Sequence, residues 1–140
     1  MKSCTNLGQS QKLKEILPIE SADWHYVRMT HDFKGNPVDS KWSHPRYGNP
    51  DSKNALCMVQ GFMKFETAPC WSLIALLSVL PNPTLTQYSE DKWNVAVFDK
   101  DNNFKDECFA DEPIDACYEM IVRLRLNKED KKRQKKRKKK

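Results

Sequence analysis

Ten of the fourteen residues at positions 127–140 are Lys or Arg and two are acidic, so this stretch carries a net charge of +8. Charge at that density cannot enter an apolar interior. Any fold must therefore be made from residues 1–126, which carry a net −3, so the overall +5 conceals two regions of opposite sign. Roughly 125 residues suffice for a core that needs no disulfide or metal. The full sequence is 39% hydrophobic and 10% aromatic with four Trp, all of them before residue 127, so residues 1–126 are expected to collapse into a single domain.

Local patterns predict an α+β fold. Leu7, Leu13, Ile16 and Leu17 share one helical face behind a cap at Thr5 or Asn6, and Pro18 ends the run. Residues 23–29 read as a strand. Residues 30–54, rich in Asn, Asp, Pro, Gly and Ser, show no sustained period and read as a long loop. Residues 56–65 are strand-like, broken at Gly61. The run SLIALLSVL at 72–80 is apolar on nearly every side, which predicts a buried central helix stopped by Pro81. Three short apolar runs at 85–88, 93–98 and 104–109, separated by polar turns, read as an antiparallel meander. A last helix starts near Pro113, with Asp115 and Glu119 where the helix dipole favours acids, and Ile114, Cys117, Tyr118, Ile121 and Leu124 form its apolar stripe. The expected architecture is a small antiparallel meander packed with a buried central helix and a C-terminal amphipathic helix. A disordered basic tail over 127–140 should follow, because like charges at i and i+4 oppose continuation of the helix.

Five cysteines, Cys4, Cys57, Cys70, Cys108 and Cys117, are odd in number and without CxxC spacing. That pattern fits a reducing compartment and thiols used as small apolar residues. No apolar stretch follows Lys2, and the longest apolar block, 73–77, is far short of the ~20 residues of a membrane span. A cytoplasmic protein without a membrane partner is expected.

The pieces Pro69-Cys70-Trp71-Ser72-Leu73, Trp93-Asn94-Val95 and Pro113-Ile114-Asp115-Ala116-Cys117-Tyr118-Glu119-Met120, in that order, carry a resemblance. The chain resembles the small uncharacterised proteins carried by phages and mobile elements of anaerobic gut bacteria, which show a PCWSL helix, a short meander with a Trp strand and a final NPxDA helix. The resemblance spans residues 7–17 and 67–126, and its motifs are packing motifs, so it transfers no functional residue. It implies a genomic setting whose proteins often bind and disable host machinery. The chain departs from the pattern at 30–54 and in the Lys/Arg run after Leu126.

Residues that could carry chemistry are sparse. Cys70 near a helix start, with His25, His31 or His44 as base, would make a nucleophile, but Trp71, Leu73 and Ile74 crowd it, and an apolar setting leaves a thiol inert. The His and Cys residues lack the close ligand pairs of a zinc site, so no metal or other cofactor is expected. Asp99, Asp101 and Asn103 copy the start of a calcium loop, yet Phe104 stands where Gly is required and Ala110 where the bidentate Glu is required. A polar hairpin turn explains them. No catalytic residue is assigned and an enzyme is not expected.

Two binding surfaces are expected instead. Trp42 and Tyr47 with Arg46, beside Trp24, Tyr26, Arg28, Lys41 and Lys53, interleave aromatics with cations as interface anchors and base-stacking platforms do, and are assigned to a host protein or nucleoprotein partner. Lys131, Lys132, Arg133, Lys135, Lys136, Arg137, Lys138, Lys139 and Lys140 should attract DNA or RNA through counterion release. Nucleic acid is favoured over anionic lipid because no amphipathic anchor accompanies the charge. The expected function is that of a non-enzymatic phage or mobile-element accessory protein acting by macromolecular binding. Its most concrete form is inhibition of a host nucleic-acid-targeting defence complex such as a CRISPR nuclease. The alternative is a nonspecific DNA- or RNA-binding accessory protein that uses the polybasic tail.

Overall fold

The computed structural model of the chain describes residues 1–49 and 63–138. Two compact units emerge, one of Ser3–Ala75 and one of Leu76–Lys140 together with Met1–Lys2. Each holds a three-stranded antiparallel sheet, and with three α-helices the class is the expected α+β.

In the first unit, helix α1 (Leu7–Ile16) starts from a capping box. Asn6 Oδ1 accepts from the Gln9 amide at 2.8 Å and Gln9 Oε1 accepts from the Asn6 amide at 3.1 Å, satisfying donors that a helix start leaves open. Ser10 and Leu13 form its buried side. A 3-10 turn at Ile19–Ser21 then leads into β1 (Trp24–His31), which lies between β2 (Arg46–Tyr47) and β3 (Lys64–Cys70) in the order β2-β1-β3. β3 pairs with β1 from Trp24 opposite Cys70 to His31 opposite Lys64. Pro69, which has no N–H to donate, is tolerated because among the described residues β3 is an edge strand.

Two sequence expectations change here. Residues 32–49 are not a free loop: the Val38 amide bonds Thr30 O at 3.0 Å and the Ser43 amide bonds Val27 O at 2.8 Å, so the chain turns at Asp32 and runs back along β1. The Asp32 carboxylate holds that turn by accepting from the Lys34 and Asn36 amides, both at 2.9 Å, with Gly35 at φ 86° completing it. The strand expected at 56–65 overlaps β3 at Lys64 and Phe65, and β3 runs on through Cys70; residues 50–62, which hold most of that expectation together with Lys53 and Cys57, lie outside the described residues.

Helix α2 (Leu73–Val79) carries the chain from one unit into the other. Ser72 Oγ accepts from the Ala75 amide at 3.3 Å, as an N-cap does, and the Asp23 carboxylate accepts from the Ser72 amide at 2.9 Å. Ala75 and Leu76 are buried, whereas Ile74 is 77% exposed, so a helix expected to be enclosed on all sides is buried along one.

The second unit is the predicted meander with its helix. β4 (Thr84–Ser89), β5 (Lys92–Phe98) and β6 (Phe104–Ala110) pair in sequence order. Helix α3 (Pro113–Lys138) packs its first half on one face of the sheet. Val95, Val97 and Cys108 from the sheet and Ile114, Ala116, Cys117, Met120 and Ile121 from the helix form the buried layer. Arg123 Nη1 donates to Asp106 Oδ1 at 3.0 Å and to Glu107 O at 2.9 Å, pinning the helix along β6 at the end of its apolar stripe.

Candidate nucleic-acid interface

Helix α3 does not stop where its apolar stripe stops. Past Leu124 the backbone continues in helical form to Lys138, and every side chain from Arg125 to Arg137 is exposed. Lys, Arg, Gln and Glu are good helix formers, and cations suit a helix C-terminus. Arg125 Nε and Glu129 Oε1, at 3.5 Å, add one i,i+4 pair. Against these stand the like charges that follow, which make this portion the marginal part of the helix.

At ~100° per residue, Lys131, Lys132, Arg133, Lys135, Lys136 and Arg137 project on all sides of a rod about 18 Å long from residue 127 to residue 138. No apolar side chain follows Leu126. The surface is thus cationic without an apolar face, suited to counterion release from a polyanion and unsuited to insertion into a lipid boundary. Lys138 closes the helix, and Lys139 and Lys140 lie outside the described residues. Among the described residues, no helix is long and apolar enough to cross a membrane.

The second predicted surface is reached only in part. Tyr47 and Arg46 sit on the short edge strand β2 and are exposed, Tyr47 by 80%, its ring packed edge-on against Trp24 at 5.7 Å between centroids. Trp42, expected to be exposed, is half-buried against the cluster of Cys4, Tyr26 and Cys70, and the Arg28 guanidinium lies 4.8 Å from its ring centroid. Arg28 is in turn paired with Glu66. The cation and the aromatic face that sequence offers to a partner are thus largely engaged with each other.

Cys70 is fully buried. A hydrogen bond with the Cys4 thiol, then burial, push the Cys70 thiol up, and the same hydrogen bond pulls Cys4 down. His25 stands opposite Pro69 on the other face of β1, with its Nδ1 2.8 Å from Gly48 O, so it is directed away from this thiol. Asp99 Oδ1 accepts from the Asp101 and Asn103 amides, both at 2.9 Å, and these bonds hold its carboxyl below the usual range. Its oxygen is used by the hairpin turn. Among the described residues no three His, Cys, Asp or Glu side chains gather as metal ligands.

The structure also shows an aromatic group that sequence reasoning did not single out. Tyr88 of β4 and Phe109 of β6 meet at 5.6 Å across the face of the meander that α3 leaves open. The available signal was alternation: Thr84, Thr86 and Tyr88 fall on one side of β4, as Glu107 and Phe109 do on β6. Comparison of the chain with family models, with curated proteins and with solved structures finds no match.

Proposed function

We propose that this protein is a non-enzymatic accessory protein that acts by macromolecular binding, with the basic portion of α3 engaging the nucleic acid of its partner. The observation that carries this is the run of exposed cations on a helix that emerges from a folded, mildly acidic body. A polyanion gains from such a surface because each neutralised phosphate releases counterions. The resemblance to proteins of phages and mobile elements makes a host nucleic-acid-targeting defence complex, such as a CRISPR nuclease, the most concrete target. The body would then supply protein contacts, with Tyr47 and Arg46 the exposed members of the aromatic group on β2.

Equilibrium binding of the full chain to labelled DNA and RNA between ~50 and ~200 mM salt tests the nucleic-acid part. Log affinity should fall with log salt at a slope of about 0.7 to 0.9 per phosphate neutralised, and a flat curve would overturn it. Capture from host lysate tests the target. Recovery of a nuclease or other nucleoprotein supports the inhibitor form. Its absence, with the salt dependence intact, leaves the nonspecific DNA- or RNA-binding form as the function.

A further inference from the structure

We propose that the open face of the β4-β5-β6 sheet binds single-stranded nucleic acid by stacking bases on Tyr88 and Phe109, an inference that rests on the nucleic-acid function proposed above for α3. Strand alternation and register place Lys92, Asn94, Ala96 and Phe98 of β5 on this face, flanked by Thr84, Thr86 and Tyr88 on one side and Glu107 and Phe109 on the other. The central Asn94 and Ala96 are small and shielded, so the taller rings stand above them: Tyr88 is 61% exposed, Phe109 44% and Phe104 58%. Phe104 packs edge-on with Phe98 at 6.1 Å, which makes a second aromatic pair toward the other end of the face.

The chemistry of the face selects its occupant. Every exposed large apolar side chain on these three strands is aromatic. An isolated aliphatic patch would suit a protein, but flat rings interleaved with Thr hydroxyls suit bases, each of which has a π-face. The Lys92 ammonium lies over the rings, 4.9 Å from the Phe109 centroid and 5.9 Å from that of Tyr88, so a base that stacks there displaces this cation and leaves it beside the strand to pair with a phosphate. Glu107 Oε2, which accepts from Asn94 Nδ2 at 3.3 Å, sits between the two aromatic pairs; as an acceptor it favours bases with exocyclic amino groups. From Phe109 to Phe104 the strand rises ~17 Å, the length of about five stacked nucleotides. On this face the cation is Lys92; the cationic part of α3 belongs to the same unit and continues a helix whose packed half lies on the opposite face. A duplex keeps its base faces stacked internally, so the platform selects single strands.

The test uses the full chain with three probes of equal length, about 12 nucleotides: a base-bearing single strand, an abasic single strand and a duplex. The base-bearing strand should bind about 5- to 150-fold tighter than the abasic one. Tyr88→Ala should remove that difference while leaving the abasic affinity and the salt slope unchanged, and Tyr88→Phe should restore it. Tyr88 lies on an edge strand, so the fold should survive, which circular dichroism checks; Phe109→Ala should act in the same direction. Equal affinity for base-bearing and abasic strands, with no effect of either alanine variant, would overturn the stacking platform while the function of α3 stands. Absence of salt-dependent binding to all three probes would overturn both.

Discussion

A single thiol sets a pH limit on the second unit. Cys117 is fully buried between α3 and the sheet, and burial pushes its thiol from 9.0 up to about 12. The folded state therefore holds this proton where the unfolded chain gives it up, so the stabilisation is complete below pH 9 and is lost as pH rises through the window up to about 12. Between pH 9 and pH 11 the loss should reach about 2 kcal/mol. Thermal melts of Cys117→Ala, which has no thiol to ionise, should decline less steeply over that window than those of the parent chain. At the start of the chain, Asn6 performs the other single-residue task. Asn6→Ala removes the cap of α1 and should cost about 1 kcal/mol, read as a lower denaturation midpoint with an unchanged m-value.

Elements differ in how far pattern alone determines them. Helix α2 is short, and Leu76 is the side chain on it with no exposure at all. Leu76→Asp buries a carboxylate without a partner and should cost several kcal/mol, enough to abolish the cooperative melt. The meander and the packed half of α3 were legible because period-two alternation and the stripe from Ile114 to Leu124 each persist across a whole element. β3 was obscured: Thr-Ala-Pro-Cys contains a proline, lacks a clear alternation, and runs straight into a helix start, so Cys70 read only as lying near that start and its place as the last residue of a strand did not show. β2 has two residues, too few for any period to show, and is held by pairing with Trp24 and His25 of β1. The cationic surface was legible from composition alone. Tyr88 and Phe109 were not, because they lie on different strands and only the register of β4 and β6 on β5 brings their rings together.

At the scale of the whole molecule, charge divides the sequence: residues 1–126 carry a net −3 and residues 127–140 a net +8, so removing the second region separates folding from the binding proposed for it. A chain ending at Leu126 should melt at the parent temperature, since the side chains from Asn127 to Arg137 are exposed. Its salt-dependent affinity for polyanions should fall sharply and its slope flatten, because ten cations are gone. An unchanged slope would assign the binding to another part of the molecule. If a specific protein target exists, the shortened chain should still recognise it while associating more slowly, as long-range steering is lost.

One backbone runs without interruption from the buried layer of the second unit into the cationic rod, and helix formation is cooperative along it. Amides around Met120 should exchange with solvent only on global opening, whereas those beyond residue 127 should fray and exchange at nearly free-chain rates. A bound polyanion cancels the like-charge repulsion between successive turns, so the boundary between protected and unprotected amides should migrate toward Lys138. Because the same helix completes the sheet packing, occupancy at its far end should slow exchange in the last packed turn near Arg123, a coupling carried by hydrogen bonds along α3.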